Sequence, residues 1–353
     1  MTISTRKKAA FSIGIALITA LTCVGLTEVV LRSSYAGIEH ITGVTEWRPG
    51  QWLDTTYHWD AYHASYGWTN VPNYSNDDRI PFDITINSQG LRSDHDYSLA
   101  RPDGIQRVCF LGDSCTFGEE VNDDETVPFH LENLLEDVEG LNFGVHGYGL
   151  GQMVMRLEDE VFQFNPTHVV LIYLTFDIAR DTQPEFVHAK PVFWLNEGEL
   201  AVANVPVPEK SRQPWLVRQS FTAAWLWGRP TLPTPDQMPE YEDLLNALLQ
   251  KAKRICDRHE VPLTVVHIVD GPTVRSALSN RSTMYALSRL RNRVATSPGI
   301  DVLDLVEELA ERSANSSEYE APNGHWNSTG NRFIARRIAE HLLVAHPDWQ
   351  LTD

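Results

Sequence analysis

From Val108 onward, short apolar runs alternate with amphipathic stretches of helical period, and this alternation constrains the fold more than any other feature of the chain. Val108–Leu111, Gly140–Val145, His168–Thr175, Leu263–Val269 and Asp301–Leu305 read as strands. Nearly unbroken apolar runs mark strands buried on both faces. Val127–Val138, Gly151–Phe164, Glu242–Glu260, Thr283–Thr296 and Ser328–Ala345 read as helices. The stretch Glu242–Glu260 repeats apolar residues at 244, 245, 248, 249, 252, 255 and 256, a clear helical stripe. Such alternation predicts a mostly parallel sheet with helices on both faces. Ligands of open sheets of this kind bind at the carboxyl ends of the strands.

The N-terminus adds a second constraint. Arg6-Lys7-Lys8 precedes an uncharged, mostly apolar run from Ala9 to Thr27, closed by Glu28 and Arg32. About 20 apolar residues cross a bilayer as a helix, so residues 1–32 read as a cytoplasmic tip and transmembrane signal anchor. Basic residues before the run place the N-terminus in the cytoplasm and everything after Leu31 outside it. A cleaved signal peptide is the competing reading, with Ser34-Tyr35-Ala36 as a faint cleavage site.

Residues 33–104 are rich in Trp, Tyr, Asn, Asp and Pro and read as an extension packing on a main domain at 105–348. Within the extension, Asp83–Ser88 alternates like a half-buried strand, and the tryptophans line a sugar groove or simply pack. At 182–240 the rhythm lapses, and prolines with Trp194, Trp215, Trp225 and Trp227 mark an insertion that is either a lid-like pocket wall or a packed segment. The formal net charge of -18, with no dense basic stripe, argues against a nucleic-acid partner. The cysteines at 23, 109, 115 and 256 show neither CxxC nor zinc-ligand spacing, so no metal or other cofactor is implied.

Three loops carry residues suited to acyl transfer. Gly112-Asp113-Ser114 delivers a hydroxyl at the end of the first strand, and Asp113 beside it reads as a structural hydrogen-bonding residue. Leu141–Gly149 follows the second strand, and Gly147 there lets a backbone N–H approach a reacting oxygen without a side chain in the way. Ala321–Asn327 places His325 in a turn immediately before the last helix. A nucleophile, oxyanion donors and a base on one sheet edge are the parts an acyl-transfer site needs.

In the order of these blocks the chain resembles the SGNH hydrolases, the GDSL-type esterases and lipases, and particularly their membrane-anchored bacterial members. The resemblance rests on Glu28-Val-Val-Leu-Arg32, Asn87-Ser-Gln-Gly-Leu-Arg92, Gly112-Asp-Ser-Cys-Thr-Phe-Gly118 and Gly324-His-Trp-Asn327. It implies a three-layer α/β/α, flavodoxin-like parallel sheet, with Ser114 as nucleophile, His325 as general base, and the N–H groups of Ser114 and Gly147 as oxyanion donors.

The chain departs from the family pattern twice. Thr175-Phe176-Asp177 puts Phe176 where an oxyanion Asn would stand, and Asn323 occupies the place of the usual Asp ahead of the histidine. Asn323 is therefore expected to orient His325, unless Glu318, Glu320 or Asp270 supplies a carboxylate or the site works as a Ser-His dyad. Two functions follow. One is an exported, membrane-tethered serine esterase or O-acyltransferase acting on an ester such as an acetylated envelope glycan. The other is a catalytically impaired protein of the same fold that binds carbohydrate or serves in assembly.

Overall fold

The computed structural model describes residues 5–36, 59–75, 81–186, 188–208, 220, 222, 236–314 and 316–352. Helix α1 (Thr5–Ala36) carries the N-terminal apolar run; its segment Phe11–Val30 has a mean hydropathy of 2.1 and none of it is buried against the rest of the chain. It is long and apolar enough to cross a membrane or to serve as a signal sequence.

The extension supplies two small antiparallel pairs, β1 (Asp60–His63) with β2 (Gly67–Asn70) and β3 (Tyr74–Ser75) with β4 (Thr85–Ile86). The strand expected at Asp83–Ser88 shortens to β4 because Arg92 and the loop after it, not a long partner strand, take the remaining backbone. Trp59 and Trp68 are buried: Trp59 stacks on Phe117 at 5.8 Å, and Trp68 Nε1 donates to the carbonyl of His146 at 3.0 Å. These two rings are packing residues and leave no face for a sugar.

The main sheet begins with β5 (Gln106–Leu111), followed by the short helix α2 (Ser114–Phe117) and helix α3 (Val127–Leu134). The chain continues through β6 (Val138–Asn142), α4 (Leu150–Asp159), β7 (His168–Leu174) and α5 (Asp177–Asp181). A hairpin, β8 (Val192–Asn196) with β9 (Glu199–Ala203), then leaves the sheet. It is followed by α6 (Met238–Arg258), β10 (Leu263–Ile268), α7 (Gly271–Ser279), α8 (Arg281–Ala295) and β11 (Asp301–Asp304). The chain ends with α9 (Val306–Ser313), α10 (Ser316–Tyr319) and α11 (Ser328–Ala345).

The five strands β5, β6, β7, β10 and β11 form one parallel sheet in the order β11-β10-β7-β5-β6. Counted in chain order within the sheet, this is the flavodoxin-like arrangement 2-1-3-4-5, and its switch point lies between β5 and β7. Both sheet faces are covered. Cys109 and Leu111 of β5 join the core under α4, α6 and α8, while Val108 and Phe110 join the core under α3, α7, α9 and α11. That two-sided burial is the reason the strand centres, Val108–Leu111 and Val169–Leu174 above all, are nearly unbroken apolar runs.

The helix ends follow local chemistry. Thr126 caps α3 and Asn327 caps α11 through their side chains, and α6 starts ahead of the expected Glu242 because Pro239 sits in its first turn. Of the insertion expected at 182–240, the hairpin is described and Trp194 on it is 41% exposed, whereas Trp215, Trp225 and Trp227 lie outside the described residues.

Candidate active site

Ser114 leaves β5 at the switch point, as the first residue of α2. Asp113 caps that helix by accepting the Cys115 N–H at 3.0 Å, and its other carboxylate oxygen meets Arg180 at 3.1 Å. Arg180 also binds Asp177 at 2.7 Å and the carbonyl of Tyr148 at 2.8 Å, so one guanidinium ties together the loops that follow β5, β6 and β7. Guanidinium suits this task because it offers several donors in a fixed plane.

The loop after β6 lies directly against α2. A Cβ at Gly144 would come within 2.2 Å of the Phe117 nitrogen, so only glycine allows this approach. Val145 to Tyr148 then close a turn through a 3.3 Å hydrogen bond, with Gly147 at φ 71 in the left-handed position such a turn requires. Among the described residues, the N–H groups of Ser114 and Gly147 have no acceptor. His146, beside Gly147, is held by Asp60 of β1 at 2.8 Å, and His188 shares the same carboxylate oxygen at 2.9 Å. Burial opposes charge on Asp60, yet His146 and His188 together keep its carboxyl below the usual range.

His325 arrives from the far end of the chain. Its turn is closed by the Gly324 N–H donating to Ala321 O at 2.9 Å, and Trp326 Nε1 anchors it to Val269 O at the end of β10 at 3.0 Å. The fold thereby brings His325 Nε2 to 3.0 Å from Ser114 Oγ. At the opposite ring nitrogen, Nδ1 lies 2.8 Å from Glu120 Oε2.

The carboxylate beside Nδ1 is thus Glu120, where Asn323 was expected. Asn323 contributes its backbone N–H, which donates to Glu120 Oε1 at 3.3 Å. The other expected carboxylates are engaged or turned elsewhere: Glu320 with Arg275 at 2.7 Å, Asp270 as the side-chain cap of α7, and Glu318 on the exposed surface. Glu120 sits at φ 67, a left-handed torsion uncommon for a side chain of this size and one that recurs where function over-determines the backbone.

The loop carrying Glu120 is clamped from the extension. Arg92 is buried and donates to the carbonyls of Phe117 at 3.1 Å, Val121 at 2.7 Å and Asp83 at 3.0 Å, to Gly118 O, and to Asp123 Oδ1 at 2.9 Å. The motif Asn87–Arg92 thus holds the backbone on both sides of Glu119-Glu120.

Phe176 caps α5 without a side-chain hydrogen bond and is half-buried between the two cores, so its ring brings no donor to the oxyanion position. Burial opposes protonation of His325, but the Glu120 hydrogen bond and the charges of Glu119, Glu120 and Asp113 outweigh it and raise the imidazole to about 9. Sequence reasoning missed Glu120, Glu119, Arg180 and Arg92 as site residues. The acidic pair Glu119-Glu120 immediately after Gly118 was the one local signal. Among the described residues no group of three or more His, Cys, Asp or Glu side chains is arranged to hold a metal ion.

No protein-family model and no curated protein matches the chain. Among solved structures it is similar to a lipase/acylhydrolase from Enterococcus faecalis, at 14% identity and a TM-score of 0.40, over 70% of this chain and 98% of that one. It is similar to a lipolytic protein of the G-D-S-L family from Veillonella parvula, at 14% identity and a TM-score of 0.37, over 67% and 97% of the two chains. An acetyl-xylooligosaccharide esterase from Geobacillus is similar at 13% identity and a TM-score of 0.40, over 67% of this chain and 94% of that one.

Proposed function

We propose that the chain is a membrane-tethered serine esterase or O-acyltransferase of the SGNH type. Ser114 is the nucleophile, His325 the general base, Glu120 the acid that orients it, and the Ser114 and Gly147 N–H groups the oxyanion donors. The observation that carries this reading is the continuous pair of hydrogen bonds from Ser114 Oγ through both nitrogens of His325 to Glu120.

In the first half-reaction the Ser114 proton passes to Nε2 while Oγ bonds to the ester carbonyl carbon. The tetrahedral oxyanion is met by the two backbone N–H groups. The bond to the alcohol oxygen then breaks, and Nε2 returns the proton to that oxygen. In the second half-reaction water or another hydroxyl gives its proton to Nε2 and attacks the acyl carbon; the bond from that carbon to Ser114 Oγ then breaks, and Nε2 returns the proton to Oγ. The incoming oxygen alone separates hydrolysis from transfer. Within this reading residues 1–32 anchor the protein, the Asn87–Arg92 part of 33–104 braces the site, and 105–348 carry the chemistry outside the cytoplasm.

The second reading, a fold kept with its chemistry lost, rests on Phe176 and its missing donor. An active-site serine phosphonate probe decides between the two. The expected result is modification of Ser114 in the wild type and none in Ser114→Ala or His325→Ala. A wild type that resists the probe overturns the enzyme reading, and equal labelling of the His325 variant means that another base serves.

A further inference from the structure

Beyond adding its charge to the field on His325, Glu119 makes no side-chain hydrogen bond within the Ser114–His325–Glu120 arrangement. Its side chain is 8% exposed, and Oε2 lies 4.0 Å from His325 Nε2, the ring nitrogen that faces Ser114. Its backbone is fixed by donation from its N–H to Ser114 O at 3.0 Å. Among the described residues no hydrogen bond ties down its carboxylate. The guanidinium of Arg92 feels the charge of Glu119, but its donors go to Asp123 and to backbone carbonyls.

Position gives this carboxylate a consequence. Nε2 hands its proton to the departing alcohol and takes one from the incoming hydroxyl, so the alcohol half of the ester must come within hydrogen-bond reach of Nε2. That half therefore passes close to Glu119, whereas the carbonyl oxygen points away from Nε2 toward the backbone donors. A carboxylate largely withdrawn from water attracts a cation and repels an anion more strongly than an exposed one does. Charge near the reacting oxygen then discriminates substrates by attraction and by repulsion together.

Resting on the hydrolase reading above, we propose that Glu119 selects the alcohol half of the ester. The alcohol, as leaving group or as acyl acceptor, carries an ammonium group near its reacting oxygen, as an amino alcohol or an amino sugar with a free amine does.

The test compares acetylcholine with 3,3-dimethylbutyl acetate, its uncharged isostere, using the full chain in detergent. The expected kcat/KM is higher for acetylcholine by about tenfold or more, the factor that about 1.4 kcal/mol provides. Glu119→Gln is expected to bring the ratio to within about twofold, and Glu119→Asp to keep part of the preference because the charge remains. A ratio near one in the wild type overturns the proposal, and so does a preference that survives Glu119→Gln. Ser114 labelling on the same preparation separates the two readings. Labelled enzyme without the preference, or without cleavage of either ester, removes the assignment of Glu119 alone. Absence of both label and cleavage removes the hydrolase reading with it.

Discussion

Glu120→Gln is expected to lower kcat for a short-chain ester by about 10⁴-fold, the loss seen when a triad carboxylate becomes an amide. The carboxylate accepts from Nδ1 at 2.8 Å, which leaves Nε2 free to take the Ser114 proton and balances the imidazolium that results. An amide can turn its NH₂ toward Nδ1 and so impose the wrong tautomer, and it supplies no charge. The pH profile should move with it. His325 must be neutral to act as a base, so wild-type kcat/KM should rise with pH and level off only above about 9. Removing the Glu120 hydrogen bond and charge moves that midpoint downward. The linked effect on folding has the opposite slope: the raised imidazole stabilises the fold fully below its unfolded value of about 6.5, and the contribution fades as pH climbs through about 9. Stopped assays across pH settle the matter, and a Glu120→Gln enzyme within a few-fold of wild type would mean that another group orients His325.

Arg92→Ala should destabilise the fold by about 3–5 kcal/mol in urea unfolding, the cost of removing one partner from a buried charge cluster. Four carbonyls and Asp123 lose their donor together, and each buried acceptor left unmade adds its own penalty. Arg92→Lys should fall between the two, since one ammonium cannot reach acceptors spread around a planar fork. Activity should drop further than stability explains, because the loop that loses its clamp is the one presenting Glu120. Measured under conditions where the variant remains folded, kcat should fall while the protein still gives native circular dichroism. A variant of full stability and activity would show that the extension does not brace the site.

How much of this was legible in sequence depended on distance along the chain. The sheet was legible because strands buried on both faces are mostly apolar, as Val169–Leu174 is, and α6 because its stripe is unambiguous. Helix α7 escaped notice because Gly271-Pro272 reads as a breaker, although Asp270 followed by a proline in the first turn is also a helix start. The β8–β9 hairpin was hidden in a stretch whose composition suggested only irregular chain, with Glu197 and Gly198 at positive φ making its turn. Ser114 and His325 stood in motifs that could be read locally. Glu120 did not, since it meets a histidine 205 positions away and only the packing of the last turn against the nucleophile loop joins them. The resemblance implied an acid among the residues just before His325, whereas the carboxylate beside Nδ1 comes from the loop after the nucleophile helix.

Glu120 also bears on whether the chain still performs chemistry. A left-handed torsion favours glycine, and a buried carboxylate favours exchange for something neutral, so neither feature is what folding stability by itself would preserve. A lineage that kept this architecture only as a scaffold would be under steady mutational pressure to relax both at once. Under the proposed function, position 120 is thus a place where stability and activity pull in opposite directions.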